Sequence, residues 1–170
     1  MEELNYLEIN KAYERISRFI LKTPLINNEY IDNFSKANVY IKLENLQKTG
    51  SFKLRGACNK IIQLSDEEKA KGIVAYSSGN HAQAVSYASN LFKTHATIVM
   101  PKNAPLIKID NTKKYGAEIV LYDPISENRE KIGEEIAKIE KRILIKPYDD
   151  ENIIAGQGTS GKEIVEELIN

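Results

Sequence analysis

The sequence predicts an α/β fold: a parallel sheet with helices on both faces, in three layers. Two observations predict it. Four short apolar runs, at residues 73–77, 96–101, 117–122 and 143–147, read as strands. Helical patterns fill the intervals between them, at about 81–92, 104–115 and 126–141. Short strands separated by helices are the mark of βαβ units. A chain of 170 residues with 42% hydrophobic content has enough apolar side chain to build a core around such a sheet.

Taken in order, residues 5–21 read as a helix, with Ile9, Tyr13, Ile16 and Ile20 on one stripe, ended by Thr23-Pro24. A short helix is expected at 29–36. Val39 to Glu44 alternates as a strand, with Val39, Ile41 and Leu43 on one face and Tyr40, Lys42 and Glu44 on the other. A Thr49-Gly50-Ser51 turn then opens a helix running to about Leu64, with Ser51 as the expected N-cap. Ser65 and Glu68 have capping-box spacing for a brief helix that ends near Gly72. In the helix at 126–141, Ile132, Ile136 and Ile139 share a face. Glu127 with Lys131 and Glu134 with Lys138 make i,i+4 pairs on a solvated side. Gly156-Gln157-Gly158-Thr159 reads as a loop. Ser160 with Glu163 reads as a second capping box, for a last helix with Ile164, Val165 and Leu168 on its apolar edge and its end at Asn170.

Composition excludes several functions. The 24 basic and 24 acidic residues cancel, so no nucleic-acid footprint is expected. Cys58 is the single cysteine, which rules out an intramolecular disulfide and a cysteine metal cluster; it reads as a packing residue. No signal-like start and no apolar run of membrane-spanning length is visible, so a cytoplasmic location away from membranes is expected. No metal site is expected within the chain. A dinucleotide-binding reading fails, because no Gly-x-Gly-x-x-Gly follows the first strand of a βαβ unit.

Two stretches carry the chemistry. Lys53 sits in the first turn of the helix after Gly50-Ser51-Phe52, where the helix dipole disfavours a cation. Lysine loses its proton readily when desolvated and becomes a nucleophilic amine or a base. About 25 residues on, the strand at Ile73-Val74-Ala75-Tyr76 feeds Ser77-Ser78-Gly79-Asn80 and a helix start at His81. A glycine-containing turn at a helix N-terminus makes an anion site from backbone N–H groups. The small residues Ala82, Ala84, Ser86, Ala88 and Ser89 let that helix lie close to a sheet or a flat ligand.

Ser51-Phe52-Lys53-Leu54-Arg55-Gly56 and Ser77-Ser78-Gly79-Asn80-His81-Ala82-Gln83 together resemble the fold-type II pyridoxal-phosphate enzymes, whose fold is like the tryptophan synthase β-subunit. The segments are similar to those of the threonine dehydratase and serine racemase branch. The resemblance extends to Lys22-Thr23-Pro24-Leu25, Lys42-Leu43-Glu44, Met100-Pro101 with Ala104-Pro105 and Lys108, Tyr115-Gly116-Ala117, and Ile154-Ala155-Gly156-Gln157-Gly158-Thr159. It implies pyridoxal 5'-phosphate as cofactor, carried by Lys53 as a Schiff base. Lys53 would also act as the base toward the substrate α-proton. It implies that Phe52 packs against the cofactor ring and that Asn80 bonds the ring oxygen. The loop of Ser77, Ser78, Gly79, Asn80 and His81 would receive the substrate carboxylate. Ser78 matches the second acid/base of racemase-like members, although a serine in a tight turn is more often a cap.

The function implied is threonine/serine dehydration, from a hydroxy amino acid to a 2-oxo acid and ammonia. A serine racemase-like or hydroxyaspartate dehydratase activity is the alternative, as is an inactive module that needs a partner chain. The resemblance also implies that the sequence corresponds to the N-terminal half of a family member. On that view, 1–48 and 151–170 belong to a larger cofactor domain and 49–150 form a small domain with a four-stranded parallel sheet. The expected partners are the small substrate and either a homo-oligomer or a complementing C-terminal half, which would carry the glycine-rich loop for the cofactor phosphate.

Overall fold

The computed structural model describes residues 5–169. The expected alternation is present as a four-stranded, all-parallel sheet built from β3 (Ile73–Tyr76), β4 (Ala96–Pro101), β5 (Glu118–Tyr122) and β6 (Ile143–Leu144). Their order across the sheet is β5-β4-β3-β6. β3 and β4 are buried along their whole length, as strands covered on both faces must be.

Strand alternation sorts side chains into two clusters. Ile73, Ala75, Ile98 and Met100 join a larger core with α3 (Lys53–Ile62) and α5 (Asn80–Leu91). Val74, Tyr76 and Val99 face the other way, onto Ile132, Ile136 and Ala137 of α7 (Arg129–Ile139). The three layers are therefore α7, the sheet, and the α3/α5 side, where α6 (Leu106–Lys114) also packs on β5. Chain entry is made by α1 (Tyr6–Ile16), which stops short of the expected residue 21. Next come β1 (Leu25–Asn27) and α2 (Glu29–Ser35), and then β2 (Tyr40–Lys42), which pairs antiparallel with β1. The capping box at Ser65 and Glu68 is formed as expected and opens α4 (Asp66–Lys71).

Four local expectations are not met. Ser51 does not cap α3: Phe52 holds that position, and the Ser51 hydroxyl is buried without a partner. Residues 156–159 are not a loop but the interior of α8 (Glu151–Ile169). Ser160 is likewise interior, its hydroxyl donating to the Gln157 carbonyl, and Glu163 is fully buried rather than capping. The expected end of α8 at Asn170 lies outside the described residues. The pairs Glu127–Lys131 and Glu134–Lys138 are absent from the described ion pairs; Glu127 instead accepts the Asp123 N–H at 2.5 Å.

Gly156 and Gly158 of α8 serve contact, whereas Gly161 faces open space. At the α3–α8 crossing, a Cβ on Gly156 would stand 2.6 Å from the Arg55 carbonyl and 2.8 Å from the Gly56 Cα. A Cβ on Gly56 would meet the Ile153 carbonyl at 2.8 Å. These neighbours are backbone, so they yield only if the helices separate. Gly156→Ala is expected to lower stability by about 3 kcal/mol, the upper end for over-packing. Urea unfolding measures it, and an unchanged midpoint would show that the crossing is not tight.

Candidate active site

β3 is followed by β4 on one side of the sheet, while β6 returns to its other side. The strand order therefore reverses between β3 and β6. Ligands of open α/β sheets bind in the crevice at the carboxyl ends of strands at such a reversal. A cleft of about 250 Å³ lies there, lined by Lys53, Tyr76, Ser77, Ser78, Gly79, Asn80, His81, Arg129, Pro147 and Tyr148. The structure thus gathers the lysine and the whole 77–81 turn into one place.

Lys53 is the first residue of α3 and is half-buried. Its Nζ donates to the Pro147 carbonyl at 2.9 Å, and no described carboxylate pairs with it. Burial lowers its pKa below the ordinary lysine value. The local chain is set by a turn in which the Gly50 N–H donates to the Gln47 carbonyl at 2.7 Å, with Gly50 at φ +71°. Only glycine takes that conformation without strain.

At the turn after β3, the Ser77 hydroxyl accepts the Gly79 N–H at 3.1 Å, so that donor is satisfied within the loop. The N–H groups of Asn80, His81 and Ala82 open α5 and have no intrahelical acceptor, as in any first helical turn. Ser78 and Asn80 are exposed to the cleft, and Ser77 and Gly79 are partly so. Lys108 of α6 donates to Asn80 Oδ1 at 2.7 Å, which leaves the amide NH₂ of Asn80 as its free donor. Phe52 is exposed, with the Lys53 ammonium 5.3 Å from its ring centre.

The His81 ring turns inward, only 3% exposed, with Nε2 at 3.2 Å from the Ile145 carbonyl. As the donor to a carbonyl, Nε2 carries the proton, which leaves Nδ1 buried without a partner. Burial pushes its pKa down to about 4, and the Lys53 charge adds to this. The ring is a neutral brace between α5 and the segment just beyond β6, and only the backbone N–H of His81 stands open at the start of α5. Cys58 is fully buried, and burial pushes its thiol up to about 12, so it is a packing residue as expected. His95 is half-exposed and faces Arg142, Nδ1 to Nη1 at 2.7 Å.

Sequence reasoning missed the support behind Lys53. Two residues along α3, Arg55 is wholly buried. Its guanidinium donates to Glu44 at 2.7 and 2.9 Å, to Glu163 at 2.8 and 2.9 Å, and to the Thr159 hydroxyl at 3.2 Å. Lys42 pairs with Glu163 at 2.9 Å and Glu167 at 2.7 Å. Burial works to raise the Glu44 pKa, but the Arg55 and Thr23 hydrogen bonds outweigh it and hold the carboxyl below its ordinary value. Nothing local signals such a network. Arg129 was also missed, although it sits beside the cleft by the strand-end rule just used.

The comparisons with known proteins now bear on this geometry. Residues 16–170 match the family described as pyridoxal-phosphate dependent enzyme. The chain belongs to that family. It is 45% identical over 163 residues to the L-threo-3-hydroxyaspartate ammonia-lyase of Saccharomyces cerevisiae, covering 96% of this chain and 50% of the relative. It is 49% identical over 164 residues to the catabolic L-threonine dehydratase TdcB of Staphylococcus aureus, covering 96% and 47%. The crystal structure of serine racemase from Dictyostelium discoideum superposes with a TM-score of 0.89 at 42% identity, over 96% of this chain and 53% of that one. The chain thus spans about half the length of the relatives it matches.

The residues present fit part of pyridoxal phosphate. Lys53 offers an amine with a lowered pKa and no acidic partner, and Asn80 offers a free amide NH₂ suited to an anionic ring oxygen. Among the described residues, no group of three or more His, Cys, Asp or Glu could hold a metal ion, and no helix is long and apolar enough to cross a membrane.

His81 also predicts a pH dependence. Its folded-state value of about 4 lies below the ordinary 6.5, so the unfolded chain binds the proton first. Stability is full above pH 6.5 and is lost as pH falls toward 4, by about 3 kcal/mol for this one group. His81→Gln should flatten urea-derived stability across that window. An unchanged slope would contradict the buried neutral ring.

Proposed function

We propose that the chain supplies the reactive half of a pyridoxal-phosphate-dependent dehydratase that converts a hydroxy amino acid to a 2-oxo acid and ammonia. The observation that carries this is the Lys53 amine, in one cleft with the Ser77–His81 turn and the open N-terminus of α5. Names of relatives at 45% and 49% identity support the same reaction class. Threonine, serine and 3-hydroxyaspartate are the candidate substrates.

Lys53 and Asn80 would hold the cofactor, with Phe52 at its ring. When bound, pyridoxal phosphate supplies an electron sink for the electrons released at the substrate α-carbon. Lys53 Nζ takes the α-proton, helped by the burial that lowers its pKa. The backbone N–H groups of Asn80 and His81 hold the α-carboxylate, with the remaining loop residues shaping its seat. Ser78, exposed on the turn, is the second proton carrier in the racemase-like alternative.

Residues 49–150 act as the small domain. The rest of the enzyme, including the cradle for the cofactor phosphate, comes from a complementing C-terminal half, and a cytoplasmic location suits the single reduced, buried cysteine. Exposed apolar side chains on the entry segment, Tyr30 at 79% and Phe34 at 84%, give such a half a surface to cover.

The test is pyridoxal phosphate added to the purified chain, followed by borohydride reduction and peptide mapping. A single adduct on Lys53, lost in Lys53→Ala, is the expected result. Labelling scattered over many lysines would overturn the proposal that this amine captures the cofactor.

A further inference from the structure

We infer that Lys108 is a positioning residue for the cofactor's ring oxygen: it fixes the Asn80 amide with its NH₂ toward the cleft and places a positive charge behind it. The inference rests on the pyridoxal-phosphate reading above and extends it to a residue outside the cleft.

The chemistry of one hydrogen bond decides how the amide is turned. Lys108 Nζ stands 2.7 Å from Asn80 Oδ1. An ammonium donates and cannot accept, so only the oxygen end of an amide can face it. Asn80 lines the cleft and Lys108 does not. The oxygen is therefore taken up from behind, and the NH₂ is the end left for a ligand. Without Lys108, the exposed Asn80 side chain is free to turn about its last bond, a torsion with two broad wells, and to present oxygen instead. An amide oxygen repels an anionic ring oxygen, whereas an amide NH₂ donates to it. A cation on the carbonyl oxygen also polarises the amide and strengthens its N–H as a donor.

Helix formation does not account for Lys108. It is the third residue of α6, in the first turn, where the helix dipole disfavours a cation. That turn holds no acidic residue, and no side chain caps it. Lys108 is half-buried, and among the described residues its ammonium bonds only Asn80. The packing of α5 on α6 has a separate fastener: Asn111 Nδ2 donates to Gln83 Oε1 at 3.1 Å. Gln83 is buried and takes no part in lining the cleft. The two helices are thus joined at a second point that does not involve the cleft, and what Lys108 adds is the setting of Asn80.

The test begins without cofactor. Nitrogen relaxation of the Asn80 side-chain amide is measured in the 170-residue chain and in Lys108→Met, Lys108→Arg and Asn111→Ala. The amide should be ordered in the unmodified chain and in Asn111→Ala. Its order parameter should fall below about 0.6 in Lys108→Met and be partly kept in Lys108→Arg. Schiff-base capture at Lys53 is then compared for pyridoxal phosphate and for 3-deoxypyridoxal 5'-phosphate, which has the same aldehyde and phosphate but lacks the ring oxygen. Lys108→Met should weaken capture of the first about tenfold and leave the second unchanged. An Asn80 amide that stays ordered in Lys108→Met, or one loosened equally by Asn111→Ala, would overturn the inference. So would an equal loss for both aldehydes. Capture of neither aldehyde by the unmodified chain would overturn the cofactor reading itself, and the amide order alone then decides whether Lys108 sets Asn80.

Discussion

A buried ion network around Arg55 is the constraint on which the site depends. Three segments far apart in the chain meet at it: the stretch around β2, through Lys42 and Glu44; α3, through Arg55; and α8, through Thr159 and Glu163. Burying these charges is costly, and only near-complete pairing offsets the cost. Arg55 meets that condition with two carboxylates and a hydroxyl. Such a network accepts one arrangement of its three segments, because any shift leaves a buried charge unpaired.

Lys53 inherits its position from that arrangement. Two residues separate it from Arg55 on the same helix, and one turn deeper Gly56 meets Gly156 of α8 almost backbone to backbone. With α3 held at both places, its first residue comes to the strand reversal between β3 and β6. The amine then meets the Pro147 carbonyl beyond β6, while the turn beyond β3 presents its N–H groups. The Lys53 amine and the open N–H groups of the turn thus come from separate elements and are brought together by the packing behind them. His81 adds a brace of the same kind, tying α5 to the segment just beyond β6 through the Ile145 carbonyl.

The parts of this that could be read from sequence are those that local physics decides. The buried strands, the alternation with helices and the capping box at Ser65 each follow from spacing alone. Lys53 and the 77–81 turn stood out because an amine at a helix start and a glycine-containing strand-to-helix turn have few purely local uses. The misses come mostly from tertiary packing. Ser51, Gly156, Gly158, Ser160 and Glu163 were given their commonest local roles, as caps and loop formers; for Gly156, Gly158 and Glu163 a tertiary contact had taken them instead, while Ser51 is buried without a partner and Ser160 lies inside α8. Gly156 allows a helix crossing, and Glu163 neutralises a cation more than 100 residues earlier in the chain. Arg129 was submerged in a charged helix that looked solvated, because nothing in its own neighbourhood announces the Tyr76 ring beneath it.

The most direct measurement is the titration of the Lys53 amine by NMR, on selectively labelled chain, with and without Arg55→Met. If the network positions α3, the unmodified chain shows a Lys53 pKa below that of its exposed lysines, and Arg55→Met moves it up toward the ordinary value while the sheet stays folded. A lowered Lys53 pKa that persists in folded Arg55→Met would contradict the account, since the amine would then owe its place to something other than the buried ion network.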